Sequence, residues 1–291
     1  MTAPLNAPLN AHTPSSRFIE RNSVKLHHLD WGNEGSHPIV LVHGIRLHAH
    51  VWNHFGRRFR DRYHVIALDQ RGHGDSGWGP GEHYNPEECY QDLRHVVEQR
   101  GLKKFTLVGH SMGGRVSMLY ASRHPETLER LVLVDITPGR PAGMSPTADM
   151  SRITETPPPQ DYASPEEAAE YLKKIMKLAP PEGIDESVRF GMRKTDNGRY
   201  TWKYDPALFR RAPPAPINMW DVVKTIPVPT LLQYGSHSNV VTPELAQQMG
   251  ETMPDCTVVR VERAGHGLFT DQPETFAEHV ERFIAGKQPA R

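Results

Sequence analysis

Residues 105–114 read FTLVGHSMGG. Phe105 to Val108 is continuously apolar, as expected of a strand buried on both faces. Gly109-His110-Ser111-Met112-Gly113 then forms a G-x-S-x-G pattern, followed by Gly114 and a predicted helix over 112–124. Strand, tight turn and helix in that order are the setting in which a serine sits on a strained elbow above a sheet. The flanking glycines remove side chains that would clash with the bend. The following helix aims its N-terminus at developing negative charge. An ordinary glycine turn is the alternative, and the strand before and helix after weigh against it. Ser111 is therefore the candidate nucleophile.

The same apolar theme recurs on either side of this stretch. Pro38–Val42 (PIVLV), Tyr63–Leu68, Leu131–Val134, Thr230–Leu232 and Val258–Val261 read as strands, while Val24–Trp31 alternates sides like an early antiparallel strand. Between them lie predicted helices over 89–100, 243–252 and 272–285, the last with Pro273 and Glu274 in its first turn. Strands alternating with helices predict an α/β fold with a mostly parallel sheet.

The rhythm breaks over 137–225. TPGRPAGMSPT (137–147) and TPPPQ (156–160) are proline-rich and predict loops. Ser164–Leu178 predicts a helix with Ser164 as N-cap and Pro165 at its first position. APPAP (212–216) marks the return toward the core. The expected organisation is a disordered tail over 1–16, a first core part over 17–136, a helical cap over 137–225 and a second core part over 226–291.

With 34 basic and 34 acidic residues, the chain lacks the cationic excess of a nucleic-acid or membrane-surface binder. No run approaches the roughly 18–20 apolar residues of a membrane span. The first 16 residues have neither the cationic start nor the apolar run of a secretory leader. Cys89 and Cys256 are the only cysteines, which suits a reducing cytoplasm. The expected partner is a small-molecule substrate, with no nucleic acid and no membrane; a homodimer is compatible with the sequence.

Two further stretches carry chemistry. His43-Gly44-Ile45 follows the strand Pro38–Val42, where the Ile45 amide can join the Met112 amide as an oxyanion hole. Gly265-His266-Gly267 follows the last strand, and a glycine-flanked loop can present His266 as a general base. His48, His50 and His54 have helical spacing but no acidic or cysteine partner in sequence, so no metal is predicted there. No organic cofactor is implied either.

Together HGIRLHAHVW (43–52), DQRGHGDSG (69–77), GHSMGG (109–114), LVLVDITP (131–138) and AGHGLFTDQPETF (264–276) resemble the α/β-hydrolase fold family, over about residues 17–286. The resemblance implies an eight-stranded sheet with helices on both faces and a cap inserted after the sixth strand. It also implies the chain order serine, acid, histidine. The family most often carries its acid in a G-x-x-D turn after the seventh strand. Here that turn reads Gly235-Ser236-His237-Ser238-Asn239, and neither Ser238 nor Asn239 can be charged. Asp135, at the end of the sixth strand, is the expected substitute. Capping of its own turn is the bland reading of Asp135, and Glu244 is a weaker rival.

The expected chemistry is cofactor-independent acyl transfer through Ser111, on an ester, amide or lactone of a small, polar or carboxylated molecule. Arg46 and the cap residues Arg193, Arg199, Tyr200 and Trp202 are candidate substrate contacts, since cations mixed with aromatics can clamp a carboxylate and stack a planar group. Two alternatives stay open: C–C hydrolysis of a vinylogous diketone, and a ligand receptor on the same fold.

Overall fold

The apolar runs form the centre of an eight-stranded sheet. The computed structural model describes residues 13–80, 83–139, 141, 161–209 and 217–288. Its strands are β1 (Ser15–Arg21), β2 (Val24–Asp30), β3 (Pro38–Val42), β4 (His64–Leu68), β5 (Phe105–His110), β6 (Leu128–Val134), β7 (Met192–Lys194), β8 (Tyr200–Trp202), β9 (Thr230–Gly235) and β10 (Cys256–Val261). Strands β7 and β8 form a separate antiparallel hairpin. The main sheet has the order β1-β2-β4-β3-β5-β6-β9-β10. It is parallel from β4 to β10 and antiparallel where β1 meets β2 and β2 meets β4.

Helices cover both faces. They are α1 (Asn53–Phe59), α2 (Pro86–Gln99), α3 (Met112–Arg123), α4 (Pro165–Ile175), α5 (Pro181–Gly191), α6 (Met219–Lys224), α7 (Pro243–Thr252), α8 (Leu268–Asp271) and α9 (Pro273–Ile284). Successive residues of a strand point to opposite faces, and β3 feeds two cores accordingly. Val40 and Val42 pack with Leu93, Val116, Leu119, Val223 and Met249 from α2, α3, α6 and α7. Ile39 and Leu41 pack with Phe55, Phe59, Phe276 and Val280 from α1 and α9. Burial at about 1.5–3 kcal/mol per large apolar side chain makes a run such as PIVLV stable only as a central strand.

Between β6 and β9 the chain leaves the sheet. There α4, α5 and the β7–β8 hairpin share a small core of Tyr162, Ala168, Leu172, Ile184, Val188 and Met192. The N-cap of α4 is Ser164, whose hydroxyl accepts from the Glu167 amide. The helix ends at Ile175, three residues short of the expected Leu178, and the hairpin and α5 were not expected. Arg57 on α1 pairs with Glu186 on α5 at 2.8 Å, and the rings of His50 and Phe190 stack at 3.8 Å. These contacts seat the insertion on the core. Strand β1 starts at Ser15, inside the stretch expected as a tail; residues 1–12, 156–160 and 212–216 lie outside the described residues, as does most of 137–147. Among the described residues, no helix is long and apolar enough to cross a membrane.

Candidate active site

The turn between β5 and α3 holds Ser111 at φ 51°, ψ −114°. Positive φ costs a non-glycine residue about 1–3 kcal/mol, so close packing must enforce it. A Cβ on Gly109 would stand 2.3 Å from Ser117 Oγ, and one on Gly114 would stand 2.4 Å from the Ile136 side chain. A Cβ on Gly113 would meet the Val42 and His43 carbonyl oxygens at 2.4 and 2.6 Å. Only glycines let α3 approach β3 and β5 this closely. The same closeness brings the His43–Ile45 loop to the elbow, where a Cβ on Gly44 would lie 3.1 Å from Ser111 Cβ. Met112 is the first residue of α3, so its amide has no intrahelical acceptor.

The His43–Ile45 loop is fixed from behind. His43 Nε2 accepts from the Gln70 amide at 3.0 Å, so Nδ1 carries the proton and donates to the Gly44 carbonyl at 2.6 Å. The Gln70 side chain donates to the His43 carbonyl at 2.6 Å. Burial pushes the His43 imidazole down to about 4, so it is neutral at pH 7. The 69–74 turn therefore supports the loop without reaching the elbow.

His266 and Asp135 meet across the sheet end. Asp135 follows β6 in a left-handed conformation, φ 48°, and is fully buried. Its Oδ1 accepts from the Gly235 amide at 2.9 Å. Its Oδ2 accepts from His266 Nδ1 at 2.7 Å and from the Ser238 hydroxyl at 2.6 Å. The His266 loop is tied at two points. The Gly265 amide donates to Asp271 Oδ2 at 2.8 Å, and His110 Nε2 donates to the His266 carbonyl at 2.9 Å. Burial holds His110 well below the usual imidazole range, with neighbouring His266 acting in the same direction. The two rings lie 4.6 Å apart, which sets His266 beside the residue preceding Ser111. No hydrogen bond joins Ser111 Oγ to His266 Nε2 among the described residues.

The residues singled out as substrate contacts separate into two groups. Arg46, at φ 63°, directly follows Ile45 and hydrogen-bonds the Tyr204 side chain. The others build the hairpin of the insertion. Arg199 pairs with Asp161 at 2.7 Å, and Arg193 lies over the Trp78 ring at 5.6 Å. Tyr200 exchanges backbone hydrogen bonds with Tyr162, and Trp202 Nε1 donates to the Tyr162 hydroxyl at 3.3 Å. Among the described residues no hydrogen bond, ion pair or ring contact joins any of these four to Ser111, His266 or Asp135; strand pairing and local partners hold them together instead. Of the three spaced histidines, His48 and His50 sit where the insertion meets the core, and His54 bonds Glu274 at 2.9 Å. Ser238 and His110 were not singled out by sequence as supports. Ser238 stood out there only as an absent acid, and the middle position of G-x-S-x-G carries no sign that its ring ties down a distant loop.

A family model described as the alpha/beta hydrolase family matches residues 39–279. The chain is 28% identical over 262 residues to the sn-1-specific diacylglycerol lipase ABHD11 of Mus musculus, covering 85% of this chain and 80% of the relative. It is 27% identical over 265 residues to N-formylmaleamate deformylase of Pseudomonas putida, covering 89% and 92%. Among solved structures it superimposes on E-2-(acetamidomethylene)succinate hydrolase with a TM-score of 0.82 at 23% identity, covering 94% of this chain and 99% of the other. That last likeness speaks to the fold alone.

Proposed function

This chain belongs to the alpha/beta hydrolase family, and from that premise we propose that it is a serine hydrolase cleaving an ester, amide or lactone bond through an acyl-enzyme on Ser111. The observation that carries the reading is the 2.7 Å bond from His266 Nδ1 to the buried Asp135 carboxylate, at the sheet end where Ser111 is held in its elbow. A carboxylate only accepts, so His266 donates through Nδ1 and keeps the Nε2 lone pair free for the Ser111 proton. The histidine–aspartate leg of the relay is a formed bond; the serine–histidine leg rests on the placement of His266 beside His110.

In the proposed cycle Ser111 Oγ attacks the carbonyl while His266 Nε2 takes its proton. The Ile45 and Met112 amides receive the oxyanion, a pair worth about 10²–10³ in rate for each donor. His266 then protonates the leaving group, and the same steps with water release the acid. The Asp135 carboxylate stabilises the imidazolium.

The substrate is proposed to be small and carboxylated, with Arg46 as the anion anchor beside the oxyanion loop. Relatives named as a diacylglycerol lipase and as a deformylase of N-formylmaleamate show that family membership leaves the substrate open. The chain has only two cysteines, a sparse usage that suits a reducing compartment, so we place the activity in the cytoplasm.

The test is intact-mass analysis during exposure to a fluorophosphonate. Rapid single labelling, abolished in Ser111→Ala and slowed 100-fold or more in Asp135→Asn, is the expected result. A folded wild type that takes no label at Ser111 would overturn the enzyme reading in favour of a ligand-binding protein.

A further inference from the structure

Strands β1 and β2 pair with Phe18 opposite His27 and Ser16 opposite Leu29. Residues two apart along a strand share a face, so Ser16 lies diagonal to His27 on the same side of the sheet. Ser16 Oγ stands 2.7 Å from His27 Nε2, and His27 Nδ1 stands 2.7 Å from Asp69 Oδ2. His27 and Asp69 are each 1% exposed, whereas Ser16 lies exposed on the outermost strand of the sheet. The Asp69 carboxylate is held rigidly, accepting the Ala49 amide at 2.6 Å on one oxygen and the Asp75 amide at 2.9 Å on the other. Burial opposes its charge, yet the hydrogen bonds from His27 and from the Asp75 amide keep its carboxyl below the usual range. An ionised Asp69 fixes the His27 proton on Nδ1. The Nε2 lone pair is then directed at the Ser16 hydroxyl.

The geometry points to a second nucleophilic serine: Ser16, activated by His27 and Asp69, is a surface site for acylation by activated acyl donors such as aryl esters and acyl phosphates. It shares no residue with the Ser111 site and does not depend on the function proposed for that site. In the step, Ser16 Oγ forms a bond to the acyl carbon as the bond to the leaving group breaks. The serine proton passes to His27 Nε2 and from there to the leaving group. Ser16 sits in extended strand rather than at a helix N-terminus, so the paired amides of an elbow do not face it. With both donors missing, its reaction is accordingly expected to be about 10⁴–10⁶ slower than at Ser111, ending in a stable ester.

The test uses full-length Ser111→Ala, exposed separately to a fluorophosphonate and to p-nitrophenyl acetate, with adducts located by peptide fragmentation. Ser15 is the internal control, being an exposed serine on the same strand with no histidine assigned to it. The expected result is a single adduct on Ser16, absent from Ser16→Ala/Ser111→Ala. In His27→Gln with Ser111 intact, Ser16 labelling should fall about 100-fold or more, the usual worth of a general base. A wild-type circular-dichroism spectrum and melting temperature would show that this variant is folded; if it is not folded, the Ser15 comparison decides. No adduct after exhaustive exposure overturns the assignment. So does equal labelling of Ser15 and Ser16, or an unchanged rate at Ser16 in folded His27→Gln.

Discussion

Ser238 gives its hydroxyl proton to Asp135 Oδ2, the same oxygen that receives His266 Nδ1. The Ser238 oxygen also accepts the Val240 and Val241 amides, both at 3.0 Å. With two donors already on that oxygen, its single proton is committed to the carboxylate. The position where a family acid is most often expected thus holds a residue that steadies Asp135, the acid proposed in its place.

Removing that hydroxyl should loosen both the turn and the acid. Ser238→Ala leaves two amides without their acceptor, at a cost of about 1–3 kcal/mol if they stay buried. Urea unfolding should show that loss. Labelling at Ser111 should slow several-fold, and Ser238→Thr, which keeps the hydroxyl, should recover most of both. Full-rate labelling in Ser238→Ala would remove Ser238 from any positioning role.

The elbow offers a second measurement, because its strain is local. At φ 51°, Ser111→Gly relieves a conformation that Ser111→Ala retains. The glycine variant should be more stable than the alanine variant by about 1 kcal/mol, even though glycine is ordinarily the poorer residue for stability. Thermal unfolding of the two inactive variants compares them directly. Equal stability would mean the surrounding glycines and α3 do not hold residue 111 under strain.

Sheet and elbow were legible in the sequence because their signals are local: a strand buried on both faces must be continuously apolar, and a tight turn needs its glycines. Strand β1, reading SSRFIER, is an edge strand with mostly exposed side chains, so no apolar pattern marks it and its first residues read as tail. The partners of the β7–β8 residues were not legible, because charge and aromaticity do not reveal them. Asp161, which neutralises Arg199, lies 38 residues away. Asp135 stands out as a candidate acid only by comparison with the expected acid position. The bonds from Ser238 and His110 span 103 and 156 residues, and nothing in a linear pattern encodes such distances.

Stability should fall as pH drops through the histidine range, before the carboxylates titrate. Burial pushes His28, His43 and His48 each down to about 4, against about 6.5 in the unfolded chain. Between those values the unfolded state binds protons that the folded state refuses, so acid favours unfolding. Each histidine contributes a slope of up to about 1.4 kcal/mol per pH unit there. Asp30, held down to about 2, loses its contribution only below about 4. The melting temperature should therefore decline steadily from pH 7 to 5. A flat profile to pH 4.5 would show that these imidazoles accept protons without cost in the fold.

Arg46 and Arg199 set a proposed anion anchor against a cation already paired within the insertion. Arg199 is spent on Asp161 in a half-exposed pair, side chains 42% and 41% exposed, which is worth about 0–1 kcal/mol. Arg199→Ala should therefore change kcat/KM less than about fivefold on any substrate. Arg46 follows the oxyanion loop directly, and its guanidinium is turned toward Tyr204. A carboxylated ester placed with its carbonyl at Ile45 would share that guanidinium, and a charge-assisted bond of about 1.5–3 kcal/mol is at stake. Arg46→Ala should then lower kcat/KM roughly 10- to 100-fold for the carboxylated ester, while an uncharged ester of the same size is hydrolysed nearly as before. Equal losses on both esters would make Arg46 a support of the loop. The carboxylate preference would then lose its only named anchor.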